Sequence, residues 1–255
     1  MKIAFHASRK LRAQNALAEL KNHYQSAPPE EADVIVVLGG DGSMLHALHH
    51  YIDYQAPLFG MNLGTLGFLL NDYNIKKLQE RIASAAHFNI HPLKMEAIDK
   101  DGNKSKHYAF NEVSLLRETH ASAKLKVHVN DKLRIKDLVC DGVMVSTPMG
   151  STAYNSSAGG PILQLDANVM PITPISPFRP RHWPGAVVSN KCKIKFEVFK
   201  PNERPVSATA DTTEIRDVRE VNIQVAKRIT KTLMFDDAES LRERIFREQF
   251  AGGQC

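Results

Sequence analysis

The sequence predicts an open α/β layer with a mostly parallel sheet, followed by a β-rich part and a helical tail. Three observations predict it. Short apolar runs alternate with helix-period segments over residues 1–90. The segment Val34–Leu38 is a continuous, mostly β-branched run of the kind buried on both faces of a parallel sheet. From about residue 93 the apolar period becomes two, as in strands with one wet face.

The elements follow in order. Lys2–Ala7 reads as a strand. Ala13, Ala16, Leu17, Leu20 and Tyr24 share one helix face, and Pro28-Pro29 then breaks the chain. After the strand Val34–Leu38, Met44, Leu45, Leu48 and Ile52 recur at helical spacing. Pro57–Met61 is a further strand candidate, and Ile75, Leu78 and Ile82 mark another helix. Leu125, Val127 and Val129 alternate with Lys126 and His128 and run into Asn130-Asp131, a turn signal. Ile194, Phe196 and Val198 alternate likewise, as do Val221, Ile223 and Val225. Met170–Gly185 carries Pro171, Pro174, Pro177, Pro180 and Pro184 and reads as a long loop. Leu241 and Ile245 stand one turn apart in a final helix. There is no internal repeat.

Composition narrows the function classes. The chain has 255 residues, enough for one large or two modest domains. It is 43% hydrophobic and 24% charged, which is ordinary globular usage and argues against disorder. Lys+Arg number 33 and Asp+Glu 28, a net charge of +5. Those charges are spread out, so no nucleic-acid partner is expected, and a small anionic ligand accounts for the balance equally well. Cys140, Cys192 and Cys255 are odd in number and widely spaced, which suits neither a disulfide framework nor a Cys-x-x-Cys metal site. A reducing cytoplasm is expected. The start carries no signal-like apolar run. The charge-free stretch Gly142–Leu165 is too rich in Gly, Ser, Thr and Pro to span a membrane.

Four segments carry the chemistry. Gly39-Gly40-Asp41-Gly42-Ser43 follows a buried strand and precedes a helix. Glycines there let backbone approach a phosphate, the helix start aims N–H groups at it, and Asp41 suits a general base. A tight turn with Asp41 as N-cap is the plainer reading. Gly60-Met-Asn62-Leu-Gly64-Thr-Leu-Gly67-Phe68 is neither the dinucleotide fingerprint Gly-x-Gly-x-x-Gly nor a P-loop. Asn111-Glu112 offers an amide and a carboxylate for ribose hydroxyls, and an exposed strand end explains it as well. Asp141-Gly142 leads into Ser146-Thr-Pro-Met-Gly150-Ser-Thr-Ala-Tyr154-Asn-Ser-Ser157, a run of small hydrogen-bonding groups suited to lining a polar ligand.

These four segments, in this order, resemble the bacterial NAD kinases, over about residues 33–165 and more weakly to about 235. Gly-Gly-Asp-Gly alone is shared with lipid kinases; the Ser-Thr-Pro-Met-Gly-Ser-Thr-Ala-Tyr run is the specific element. The resemblance implies an α/β domain over 1–93, with 236–255 packing back on it, and a β-sandwich-like NAD-binding domain over 94–235. It implies transfer of the γ-phosphoryl of ATP, or of polyphosphate, to the adenosine ribose 2′-hydroxyl of NAD, with Mg²⁺, in a homo-oligomer (dimer or tetramer). By position, Asp41 matches the catalytic carboxylate, Gly40 and Gly42 the phosphate glycines, and Phe68 the aromatic over the adenine end. Asn111 and Glu112 match the ribose-holding pair, and Asp141 the carboxylate at the nicotinamide end. Thr152, Ala153, Tyr154 and Ser157 match the base pockets. Asp211 matches a family Asp but is followed by Thr212 where relatives carry His or Gly, and Val139-Cys140 stand where some carry a basic residue. The rival readings are another Gly-Gly-Asp-Gly kinase of lipids or small molecules, and a dinucleotide-binding regulator without catalysis.

Smaller features stay with plainer readings. His46, His49 and His50 suit a wet helix face better than a metal site, and Cys140 a buried structural thiol better than a reactive one. Lys124, Lys126, Lys132, Arg134 and Lys136 form a basic hairpin that reads as a solvated face or, alternatively, as an attractor of phosphates, and Trp183 suits an anchor for the Pro-rich segment or a subunit contact.

Overall fold

The computed structural model describes residues 1–64 and 67–251, so Thr65 and Leu66 of the second glycine segment, and Cys255, lie outside the described residues. The chain divides into two compact units, Met1–Ile90 with Ile229–Cys255, and His91–Arg228.

The first unit opens with β1 (Ile3–Ala7), α1 (Leu11–His23), β2 (Val34–Gly39), α2 (Asp41–His50), β3 (Leu58–Asn62), β4 (Asn71–Asp72), α3 (Leu78–Ser84) and β5 (Ala86–Ile90). β1, β2 and β3 are parallel, with Ile3 opposite Val34 and Ile35 opposite Leu58. Every residue of β2 is buried, because helices cover both faces. Val34, Val36 and Leu38 join Ala13, Ala16 and Leu20 of α1 and Leu78 and Ile82 of α3 in one apolar cluster. Ile35 and Val37 face the other way by strand alternation. On that side α2 buries Met44, Ala47 and Leu48. It lies so close that a Cβ on Gly60 would stand 2.6 Å from Met44 Cε.

The second unit is a sandwich. Its elements are β6 (Leu93–Asp99), β7 (Lys104–Ala109), β8 (Glu112–Arg117), β9 (Ala123–Val129), β10 (Lys132–Cys140), β11 (Gly142–Ser146), α4 (Tyr154–Ser157), β12 (Val169–Ile175), β13 (Ala186–Ser189), β14 (Ile194–Val198), β15 (Val206–Ala210), β16 (Thr213–Ile215) and β17 (Val218–Val225). One antiparallel sheet runs β10-β9-β14-β17-β6-β7, the other β13-β12-β11-β8-β15-β16. Inward residues of both meet in a single core, Met95, Leu125, Phe196 and Val221 from the first and Val113, Leu115, Val143 and Val206 from the second. The β9–β10 turn is Asn130-Asp131, both at positive φ (51° and 60°), the left-handed conformation that Asn and Asp tolerate best. The basic hairpin they close is ion-paired, Lys124 with Asp137 and Lys126 with Glu197.

The chain then returns to the first unit with β18 (Lys231–Phe235) and α5 (Ala238–Ala251). β18 enters between β3, parallel, and β5, antiparallel. This corrects the expected extension of the second domain to residue 235: Leu233 and Phe235 alternate like sandwich residues, but their partners are Phe88 and Ala86. The Pro-rich segment is also corrected. It is not a loop throughout, since β12 occupies an interior position in its sheet. Its ladder with β11 covers Ile172–Ile175 and its ladder with β13 covers Val169–Ile172. Pro171 and Pro174 therefore each have a ladder neighbour on one side only, and their missing N–H groups interrupt no continuous pairing. Trp183 packs on the sandwich core. Among the described residues no helix is long and apolar enough to cross a membrane.

Lys231 is 1% exposed. Its ammonium donates to the carbonyls of Tyr51, at 2.8 Å, and Tyr54, capping the end of α2. Burial lowers its pKa from the usual lysine value. Replacing Lys231 by Met keeps the stem and strands both carbonyls, so a stability loss of ~1–3 kcal/mol in urea unfolding is expected; an unchanged midpoint would show that these bonds contribute nothing net.

Candidate functional site

The first unit gathers its groups at the carboxyl ends of β1 and β2, where open α/β sheets bind ligands. α2 begins at Asp41 with Gly40 as N-cap, and Gly40 O accepts from Ser43 N at 2.8 Å and Met44 N at 3.1 Å. Asp41 is therefore not the cap. Its carboxylate turns to the other glycine segment, Oδ2 accepting from Phe68 N at 3.0 Å and Oδ1 from Leu69 N at 2.9 Å. The three glycines of the turn differ. A Cβ on Gly39 would lie 2.1 Å from Ser43 Oγ, so packing forbids a side chain there. A Cβ on Gly40 or Gly42 would meet nothing within 4 Å, so these two leave open backbone that the fold itself does not require. The first amides of a helix lack partners within it. Bare backbone over them is the arrangement that receives an anion.

Beside this turn lies a cavity of about 480 Å³ lined by His6, Ala7, Ser8, Arg9, Gly42, Ser43 and His46. The Ser8 hydroxyl is buried there without a partner among the described residues. Ser8 and Arg9 escaped the sequence reading, although their place directly after the first strand was the available signal. His6 stacks on His46 at 5.4 Å and meets Tyr51 OH at 3.2 Å. Burial first, then the neighbouring imidazoles, push its pKa down to about 4, so it is neutral at pH 7. The histidines form a ring stack; among the described residues no group of three His, Cys, Asp or Glu is placed to hold a metal.

In the second unit, Phe110–Glu112 and Ser146–Gly150 lie against each other. Thr147 N donates to Asn111 O at 2.8 Å and Thr147 Oγ1 to Phe110 O at 2.6 Å. Gly150 is required, since its Cβ would stand 2.3 Å from Asn111 O. Asp211, at a φ of 51°, accepts from the amides of Phe110 (2.7 Å), Asn111 (3.0 Å) and Glu112 (3.2 Å). It thus shapes the Asn111-Glu112 turn through backbone. Glu112 Oε2 is buried with no partner among the described residues. Burial, with Asp211 adding like charge, pushes the Glu112 carboxyl up to about 7.

The hydroxyl-rich run is divided by function of side. Ser151 and Asn155 are fully buried. Asn155 donates to Ser151 O and Pro161 O and accepts from Thr173 Oγ1 at 2.6 Å. Tyr154, 39% exposed, and Ser157 face outward, with Thr152 and Ala153 partly so. Asp141 stands apart from this group. It precedes the five-residue β11 while Ser146 ends it, a separation on the order of 17 Å. Its carboxylate is taken by Arg117 Nε at 2.6 Å. Cys140 is buried and its thiol is pushed up to about 12 by burial, so it is inert.

Comparison with known proteins also gives two parts, the C-terminal match running past the second unit to include β18. The family model for the ATP-NAD kinase N-terminal domain matches residues 4–89, and that for the C-terminal domain matches 110–239. A curated NAD kinase from Hyphomonas neptunium is 48% identical over 251 residues, 98% of each chain. One from Caulobacter vibrioides is 47% identical over 250 residues, 98% of this chain and 96% of its own. The crystal structure of yeast NADH kinase complexed with NADH shares the fold, with a TM-score of 0.83 at 20% identity over 100% of this chain and 88% of that one. An NAD kinase from Archaeoglobus fulgidus in complex with ATP gives 0.76 at 23% identity over 98% of both.

Glu112 sets a pH dependence of stability. Its folded-state pKa of about 7 lies above the usual 4.5, so the folded chain holds an extra proton between those values. That contribution is complete below the lower value and is lost as pH rises through the upper one. Glu112→Gln, neutral throughout, is therefore expected to gain stability over the parent at pH 8 relative to pH 5, read as urea midpoints. An equal difference at both pH values would contradict this.

Proposed function

The chain belongs to the ATP-NAD kinase family, and we propose that it transfers the γ-phosphoryl group of ATP to the 2′-hydroxyl of the adenosine ribose of NAD, giving NADP. One observation carries the residue assignment: the Asp41 carboxylate is fixed by two amides beside the open backbone of Gly40 and Gly42. A carboxylate has about four acceptor positions. The amides of Phe68 and Leu69 use two, which leaves room for the ribose hydroxyl.

The 2′-oxygen attacks the γ-phosphorus, the bond to the β,γ-bridging oxygen breaks, ADP leaves, and the hydroxyl proton passes to Asp41. The amides at the start of α2 receive donor phosphates, and Arg9 and Ser8 at the end of β1 suit the same anion. Phe68, partly buried next to the amide that holds Asp41, is the aromatic for the adenine end. In the second unit, Asn111 and Glu112 are the hydrogen-bonding pair for ribose hydroxyls, and the unsatisfied Glu112 Oε2 supports that role. Thr152, Ala153, Tyr154 and Ser157 present the surface for the bases. Asp211 serves by shaping the Asn111-Glu112 turn. Asp141 is the carboxylate for the nicotinamide end, and it is paired with Arg117.

Mg²⁺ bound to the donor's phosphates would supply charge neutralisation at the transferring phosphoryl group, with few protein ligands. The proposal includes a homo-oligomer, dimer or tetramer, in the cytoplasm. Exposed Phe178 and Val187, the latter on the edge strand β13, support the first, and free Cys140 and Cys192 the second. Light scattering is expected to give twice or four times the mass of one chain, and cell fractionation to leave the activity in the cytoplasmic extract; a monomer or a membrane-bound activity would contradict them.

A coupled assay for NADP from ATP or polyphosphate plus NAD tests the activity, since a regulator would bind NADP and make no product. Asp41→Asn is expected to lower kcat at least about 100-fold; near-normal turnover would remove Asp41 from the chemistry. Gly42→Ala separates fold from function. Its Cβ meets nothing, and Ala favours a helix by ~1 kcal/mol over Gly, so stability holds or rises while activity falls. Full activity in that variant would show that the open backbone serves no ligand.

A further inference from the structure

We propose that Arg244 of the C-terminal helix is a positioning residue for Asp41, acting through the peptide that joins Gly67 to Phe68. The proposal rests on the reading of Asp41 as proton acceptor. Arg244 is half-buried on α5, next to the buried Ile245. Its Nη1 donates to Gly67 O at 3.0 Å and Leu70 O at 2.8 Å, so one guanidinium nitrogen clamps both ends of a four-residue turn. The carbonyl of Gly67 and the N–H of Phe68 belong to the same planar peptide. That N–H donates to Asp41 Oδ2 at 3.0 Å. A continuous line therefore runs from guanidinium to carbonyl, from N–H to carboxylate.

Hydrogen bonds in such a chain polarise one another, and charge at either end strengthens them. The guanidinium draws density toward the Gly67 oxygen and leaves the Phe68 N–H a better donor to Asp41. Among the described residues Arg244 makes no ion pair, and its Nε is buried without a partner. Burial lowers its pKa from the usual arginine value, and the carboxylates of Asp72 of β4, Asp41 itself and Asp236 partly offset that by favouring its charge. Asp236 is already bound by Arg81 of α3. Arginine stays protonated despite burial, so a permanent cation is used here on two carbonyls. A purely structural pin between α5 and the turn has no need of the connection to Asp41.

The test is a double-mutant cycle on the full-length enzyme, with kcat and KM for NAD measured alongside thermal midpoints. Arg244→Ala is expected to lower kcat about 10- to 100-fold, the scale of a small misplacement at the reacting centre, with KM within about two-fold and Arg244→Lys recovering part of the loss. In the Asp41→Asn background the same Arg244→Ala change is expected to alter the residual rate less than about two-fold, because residues acting as a unit are not additive. Equal factors in both backgrounds, or a raised KM at unchanged kcat, would overturn the proposal. If Arg244→Ala does not fold, Arg244→Lys and Arg244→Gln carry the cycle. Near-normal turnover in Asp41→Asn alone would instead overturn the reading of Asp41, so the two failures are distinct.

Discussion

The bidentate bond between the Asp41 carboxylate and the amides of Phe68 and Leu69 is the constraint on which the first unit is organised. It joins two glycine-bearing turns that follow different strands and fixes an acidic group beside the open backbone of Gly40 and Gly42. Several remote parts of the chain serve that bond. Asn71 Nδ2 donates to Gly60 O and Met234 O, locking the end of the turn to β3 and β18. Arg244 reaches in from α5 to the turn's carbonyls. Insertion of β18 between β3 and β5 therefore puts the last part of the chain in the same folding unit as its first helix, and α5 follows it there.

The second unit uses the same device for another end. Asp211, in a left-handed turn, accepts three amides from Phe110–Glu112. There the aspartate is consumed by structure, and one side-chain oxygen of Glu112, Oε2, is left buried without a partner among the described residues. A buried polar network rigidifies when satisfied and is costly when it is not. Asn155, Ser151 and Thr147 are satisfied and hold the loop. Glu112 Oε2, beside them, has no such partner among the described residues.

Much of this was legible in the sequence. The two-sided burial of Val34–Leu38 followed from a run with no polar residue to face water, and the Asn130-Asp131 hairpin from the two residue types that best accept positive φ. Three sandwich strands, β9, β14 and β17, announced themselves by alternation. What escaped shows where pattern stops. β12 was hidden by its prolines, because staggered pairing on the two sides is a tertiary fact. β18 carries the alternation of a sandwich strand but finds its partners in the other unit. The motifs located Asp41 and Glu112, yet gave no hint that Asp211 would act through backbone amides or that Arg244, in an ordinary charged helix, would reach the Gly67 carbonyl. Residues that work through another residue's main chain leave no local signature.

If Asp41 accepts the proton, the carboxylate held by Phe68 and Leu69 must face the hydroxyl that is phosphorylated. A crystal structure of the chain with NAD bound tests it most directly. The adenosine ribose 2′-oxygen is expected within about 2.6–3.2 Å of an Asp41 carboxylate oxygen, or one water away, with both amide bonds to Asp41 retained. A 2′-oxygen held by other side chains, with Asp41 bonded to the amides alone, would contradict it.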